Sequence, residues 1–220
     1  MELPPNPASR LRIGCGPDIA LQQLQAFIGA LQCVEPRRAV EVTHLHGPQQ
    51  LARLRSGELD LALLHLVRDE ARIAAEPLFE GERLAALLPP GHRLASSERL
   101  GPGDFADEVL IVRPRVVDPA LHDRVVAPIG DAGYRFRDVR EASGGDLRDL
   151  LFAVATGSGV ALAPPSSLGA AGDVGTIVTR CALDPAPRLP DVAMARRDER
   201  PESAGHVDAV ARDLARLLRG

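Results

Sequence analysis

The stretch 54-LRSGELDLALLH-65 decides how the chain is read. A polar helix end, a lone glycine and an almost purely apolar run follow one another within twelve residues, and the run stops on a histidine. A surface loop has no need of such a run, and a catalytic nucleophile would need a base beside it. A strand of a parallel sheet, by contrast, is covered by helices on both faces and so reads as continuous apolar sequence. Leu59–Leu64 is therefore expected to be a central strand, fed by Gly57 in the left-handed conformation that ends a helix. His65 then falls at the strand's C-terminal end, where open parallel sheets place their ligands.

Working outward, "RLRIGC" (10–15) reads as a strand, and Pro17-Asp18 is expected to open and cap a helix through about residue 34. Ala20, Leu24, Phe27 and Leu31 supply its helical period. "AVEVTHLH" (39–46) reads as a second strand, and Gly47-Pro48 starts a short helix that Gly57 closes. Strand, helix, strand, helix, strand within some 55 residues is the pattern of right-handed parallel crossovers.

Beyond residue 70 come extended segments that turn at Glu80–Glu82, and Pro89-Pro90-Gly91 marks a boundary. A second α/β unit follows. "DEVLIVR" (107–113) is a strand, and a helix is capped by Asp118 with Pro119 at its first position. "RFRDVREA" is a strand, "GDLRDLLFAVATGSG" a helix, and "VALAPP" and "VGTIVTRCAL" are strands. Gly157-Ser158-Gly159 is read as a helix-to-strand corner, since it lacks the Lys and spacing of a phosphate loop. "DVAMARR" is a last strand, and a last helix carries the stripe Val207, Val210, Ala211, Leu214, Leu217. Two extended crossings, near 87–93 and 182–190, describe a hinge with a ligand cleft between lobes.

Composition narrows the function. The chain has 220 residues, 45% hydrophobic and 25% charged, with net charge −4 and 3% aromatic residues. That is no basis for a nucleic-acid groove or a stacking platform. The three cysteines, Cys15, Cys33 and Cys181, have no zinc or redox spacing and suit a reducing, cytoplasmic compartment. The start, "MELPPNPASR", has no apolar signal core, and no run suits a membrane span, so no membrane partner is expected.

In this order and spacing, "LRIGC", "LARLRSGELDLALL", "EPLFEGERLAALLPPGHRLA", "GYRF" and "ATGSGVALAPPS" resemble the effector-binding domain of LysR-type transcriptional regulators over residues 10–220. The resemblance implies a periplasmic-binding-protein-like fold (type 2) of two Rossmann-like α/β subdomains joined by two crossover segments. The expected division is a tail at 1–9, subdomain I at 10–88 and 189–220, and subdomain II at 89–188. It also implies a non-enzymatic sensor of a small-molecule effector that acts on transcription through an N-terminal winged helix-turn-helix outside this chain. No cofactor is implied. Self-association as a dimer or tetramer is implied, through residues 19–33 of one protomer and 119–132 of another. The alternatives are a stand-alone solute-binding protein, which the missing leader disfavours, and an enzyme, for which no catalytic arrangement stands out.

The effector residues expected on this reading are Cys15, Gly16, Pro17, Asp18, His65, Arg113, Arg115, Val116, Val117, Ser143, Gly144 and Gly145. Asp18 stands where many members carry Ser or Thr, which would favour a cationic or hydroxyl-rich ligand; as a plain helix cap it would contribute about 1 kcal/mol. Cys15, His46 and His65 end successive strands, with His44 on the same face as His46. They read as a polar cleft lining, as structural histidines, or as a soft-metal set, and no metal is assigned. Arg113 and Arg115 read either as a carboxylate clamp or as solvated surface residues. His122 reads as solvated or dimer-facing. Ser143-Gly144-Gly145-Asp146 reads as a capping box with Ser143 at the cap, and its free amides are suited to an anion.

Overall fold

A computed structural model describes residues 10–65, 70–166, 168, 177–198 and 206–219. The expected tail at 1–9 and the first residues of "VGTIVTRCAL" and of the last helix lie outside these. The chain forms two units, residues 1–80 with 191–220 and residues 81–190. The second unit begins earlier than the Pro89 boundary expected from the sequence. The reason is pairing: the strand at Ala85–Leu88 is bonded to strands of the second unit on both its edges. A Pro-Pro-Gly turn punctuates the chain, but hydrogen bonding decides which unit owns the strand before it.

The first unit contains β1 (Arg10–Cys15), α1 (Leu21–Val34), β2 (Ala39–His44), α2 (Gly47–Ser56), β3 (Leu61–His65), β4 (Ile73–Phe79), and, after the excursion, β11 (Val192–Arg197) and α5 (His206–Arg219). Its sheet order is β2-β1-β3-β11-β4. β1 pairs in parallel with β2 and β3, and β11 pairs antiparallel with β3 and β4.

All five residues of β3 are buried, and their alternation explains the opening sequence. Leu61 and Leu63 pack with Phe27 and Leu31 of α1 and Val210 and Leu214 of α5. Ala62 and Leu64 pack on the opposite face with Leu51 and Leu54 of α2 and with Leu59. Each buried leucine contributes roughly 1.5–3 kcal/mol relative to exposure, so helices must cover both faces. Gly57 closes α2 at φ 77°, as expected, and its N–H donates to Leu54 O. In α5, Val210, Ala211 and Leu214 are buried, but Leu217 is exposed. Leu218, four residues after Leu214, packs on the core in its place.

The second unit contains β5 (Ala85–Leu88), β6 (Arg99–Leu100), a 3-10 turn (Pro102–Phe105), β7 (Val109–Val112), α3 (Pro119–Asp131), β8 (Asp138–Glu141), α4 (Leu147–Ala155), β9 (Ala161–Ala163) and β10 (Thr179–Leu183). β6, β10, β5 and β9 lie side by side in that order, and β7 pairs in parallel with β8. Ile111 N–H donates to Val160 O at 2.7 Å and Val160 N–H to Val109 O at 2.8 Å, which joins β7 to the lead-in of β9. β7 repeats the logic of β3. Leu110 and Val112 face Phe105, Ile129 and Tyr134, while Val109 and Ile111 face Leu150, Leu151 and Val154 of α4. Tyr134, from the "GYRF" stretch, stacks edge-on against Phe105 and donates its hydroxyl to Pro185 O at 2.8 Å.

The one charged residue within the opening apolar run is also accounted for. Asp60 accepts from Arg12 N–H (2.8 Å), Nε (3.1 Å) and a terminal guanidinium nitrogen (2.7 Å), and its own N–H donates to Arg12 O at 2.9 Å. It pins the start of β3 to β1. Asp60→Ala is expected to lower the unfolding free energy by about 1–3 kcal/mol, because it strands a backbone donor and a bidentate guanidinium. Asp60→Asn should lose less. Denaturant midpoints of the three proteins at constant m-value check this.

Candidate functional site

In the first unit the expected residues gather at the C-terminal ends of the parallel strands β1 and β3. β1 ends on Cys15, and Gly16 N–H continues the ladder by donating to Leu63 O at 2.9 Å. Leu45 N–H donates to Cys15 O at 3.0 Å, which brings the end of β2 to the same place. Residues 16–20 then form a tight turn, with Ile19 N–H donating to Gly16 O at 3.2 Å. Asp18 lies inside this turn. It does not cap α1 as expected, because the helix begins at Leu21 with Ala20 at the cap position. Gln23 supplies the capping oxygen instead, accepting from Ala20 N–H at 3.2 Å.

Asp18 still acts on its surroundings. Burial pushes the Cys15 thiol up to about 12, and the negative charge of Asp18 adds to the shift. Cys15 is therefore a neutral thiol packed in the core of the unit, where it points at Gly16 O at 3.6 Å. His65 is buried at the end of β3, with Val192 as its ladder partner. His46 lies past the end of β2, as the residue before α2, and His44 is exposed. Among the described residues no three His, Cys, Asp or Glu side chains are placed to hold a metal ion. The histidines of this region belong to strand ends and a helix entry.

Sequence reasoning missed Gln50. It is fully buried, and its Nε2 donates to Leu45 O at 2.8 Å. A side chain on Gly14 would lie 2.8 Å from Gln50 Oε1, and one on Gly16 would lie 3.6 Å from its Nε2. The two glycines of "IGCG" leave room for this amide under β1, and the amide fixes the loop that follows β2. The available signal was a glutamine four residues before Leu54, on the apolar face of a short helix.

In the second unit the expected residues gather at the ends of β7 and β8. Arg115 N–H donates to Glu141 Oε1 at 2.9 Å, which ties the loop after β7 to the end of β8. Val117 lies against Gly145, where a side chain would come within 2.8 Å of it. Val116 is 85% exposed. Arg113 is half-buried, and its carbonyl accepts from His122 Nδ1–H at 3.0 Å, so His122 faces this loop. The Arg115 guanidinium is already engaged edge-on by Asp123, at 2.8 and 2.7 Å. That pairing takes up one of the two bidentate edges of the guanidinium.

Two capping expectations have different outcomes. Asp118 caps α3 as expected, accepting from Leu121 N–H at 3.1 Å. Ser143 does not cap α4; the cap residue is Asp146, and Asp149 accepts from Asp146 N–H at 3.2 Å. The Asp149 carboxylate fills the space over Gly144, where a side chain would come within 2.0 Å of Oδ2. A carboxylate of the chain thus sits at the entry to α4, where a ligand anion was one of the expected occupants. The double glycine is explained by two neighbours, Asp149 over Gly144 and Val117 over Gly145.

This arrangement can be set against known proteins. A model of the LysR substrate binding domain matches residues 5–219. The chain belongs to that family. A "Probable hydrogen peroxide-inducible genes activator" of Mycobacterium avium is 28% identical over 158 residues, which is 72% of this chain and 50% of the relative. The transcriptional regulator CatR of Pseudomonas putida is 34% identical over 118 residues, 54% of this chain and 39% of the relative. The chain thus spans half or less of the length of these two curated relatives. The reduced OxyR regulatory domain from Pseudomonas aeruginosa superposes with TM-score 0.70 at 22% identity, covering 96% of this chain and 97% of that one. The BenM effector binding domain with its effector benzoate gives TM-score 0.71 at 18% identity, covering 94% and 90%. The two solved structures share the fold of this chain. No helix among the described residues is long and apolar enough to cross a membrane.

Two measurements follow. Cys33 is exposed, while Cys15 and Cys181 are buried and burial raises both of their thiols. At pH 8 an alkylating reagent is expected to label one of the three cysteines in the native protein, and all three after denaturation, as read by mass spectrometry. Second, the Arg115 hydrogen bond holds the Asp123 carboxyl below its usual range. A lowered folded value means that the pairing favours the fold above the ordinary carboxylate range, and that this contribution is lost as pH falls through the lowered value. In a carboxyl NMR titration, Arg115→Gln should move the Asp123 midpoint back up.

Proposed function

We propose that this chain is the effector-sensing part of a LysR-type transcriptional regulator. It would bind a small metabolite and pass that change to a DNA-binding segment outside this domain. The observation that carries the reading is that the expected effector residues of each unit collect at the C-terminal ends of parallel strands, Cys15–Asp18 and His65 in one, Arg113–Val117 and Ser143–Gly145 in the other. A ligand shifts such a protein only by binding one arrangement of the units better than the other. Self-association through residues 19–33 of one protomer and 119–132 of another belongs to the same proposal.

We further infer the class of effector. Asp18 places a carboxylate beside the end of β1, Asp123 occupies the Arg115 guanidinium, and Asp149 fills the space over Gly144. A lining of this kind supports a ligand that donates hydrogen bonds, such as an amine or a hydroxyl-rich molecule. The benzoate named with BenM is an anion, and an anion would meet carboxylates here. Oxidation by peroxide is suggested by the names of the relatives, but burial and the raised thiols argue against Cys15 and Cys181 as its targets, because the thiolate is the reactive form. The reading is of a binding domain without catalysis, since a neutral Cys15 thiol in the core of its unit is a poor nucleophile.

A thermal-shift screen of amines, polyols and carboxylates checks this. A donor-type metabolite at about a hundred times its Kd is expected to stabilise the protein by about 2.7 kcal/mol. The Asp18→Ser variant should lose most of that response. A carboxylate that stabilises both proteins equally would remove Asp18 from the site and overturn the assigned class.

A further inference from the structure

The two segments at the borders of the second unit, residues 81–84 and 187–189, run side by side as a strap. Leu84 N–H donates to Pro187 O at 2.7 Å, and Leu189 N–H donates to Glu82 O at 2.9 Å. Arg83 and Arg188 face each other as an antiparallel bridge, and Arg188 Nε donates to Gly81 O at 3.1 Å. The approach is close enough that a side chain on Gly81 would come within 1.9 Å of Leu189 O. Leu84 and Leu189 bury their side chains in the core of the second unit, which holds the apolar side of the strap.

One side chain of the strap reaches far across the sequence. The Glu82 carboxylate accepts from Ser166 Oγ at 2.5 Å and from Ser166 N–H at 3.4 Å. Ser166 follows Pro164-Pro165 directly after β9, and β9 is bonded to β5 inside the sheet. The chain from β9 to Ser166 is short and stiffened by two prolines, so Ser166 is a firm anchor.

We propose that Glu82 and Ser166 form a clasp that fastens the strap to the second unit. The strap then moves as part of that unit. The proposal concerns the chain's own mechanics and does not rest on the identity or existence of an effector.

Native-state hydrogen exchange tests it. In Ser166→Ala, the amides of Leu84 and Leu189 should exchange about tenfold faster, as a local opening. Ile111, bonded to Val160 in the same unit, and Gly16 in the other unit should stay at wild-type rates. Ser166→Thr keeps the hydroxyl and should restore the wild-type pattern. Glu82→Gln, which keeps an acceptor oxygen but loses the charge, gives a second reading should Ser166→Ala fold poorly, and a smaller acceleration of the same two amides is expected. Unchanged exchange at either Leu84 or Leu189 would overturn the clasp. So would a uniform acceleration that includes Ile111, which would mean general destabilisation rather than a released strap.

Discussion

The dryness of β3 on both of its faces is the constraint on which the rest of the first unit depends. Five consecutive buried residues cannot lie on a surface, so one helical layer must cover Leu61 and Leu63 and another Ala62 and Leu64. α1 and α5 supply the first layer, α2 the second. The return of the chain as β11 beside β3 follows from the same need, since a strand with both faces covered also needs both edges paired. Small features then become necessary. Gly57 turns the chain from α2 into β3, Asp60 sets its register against β1, and Gly14 and Gly16 admit the Gln50 amide beneath β1.

That architecture decides where polar chemistry can appear. The inner strands β1, β3 and β11 have a neighbour on each side, so the polar side chains near them gather at the strand ends. The ends of β1 and β3 carry Cys15, Asp18 and His65; the ends of β7 and β8 carry Arg115, Glu141 and the double glycine. Much of this polarity is settled internally. Arg115 is held by Asp123, Asp149 closes over Gly144, and Cys15 stays protonated through burial with Asp18 nearby.

How much of this was legible in the sequence depends on how local its cause is. The burial of β3, the Gly57 corner and the Asp118 cap each rest on a few adjacent residues, and all were readable. The misplaced features depend on contacts distant in sequence or on choices between neighbouring residues. Ser143 and Asp146 are both good caps three residues before a carboxylate, and which one opens the helix is set by packing of Leu150 and Leu151 against β7. Asp18 looked like a cap because Pro17 precedes it, yet the turn at Gly16–Ile19 delays α1 to Leu21. The boundary at Gly81 was hidden because β5 is paired by β9 and β10, some 75 and 95 residues later. The Arg115 pair with Asp123 needed the angle between a loop and the helix after it, and composition does not carry that angle.

The charge arrangement bears on specificity in a way that burial does not. An arginine paired with a carboxylate through one edge has its charge balanced by that partner and attracts a second anion less than an unpaired arginine would. A carboxylate already seated over Gly144 raises the same obstacle at the entry to α4. Discrimination of this kind comes from repelling the wrong ligand as much as from attracting the right one, and it needs no additional contact to the ligand. Within the proposed reading, a donor-type effector is favoured over an anion by charge, because carboxylates of the chain stand at the strand end near Cys15 and at the entry to α4.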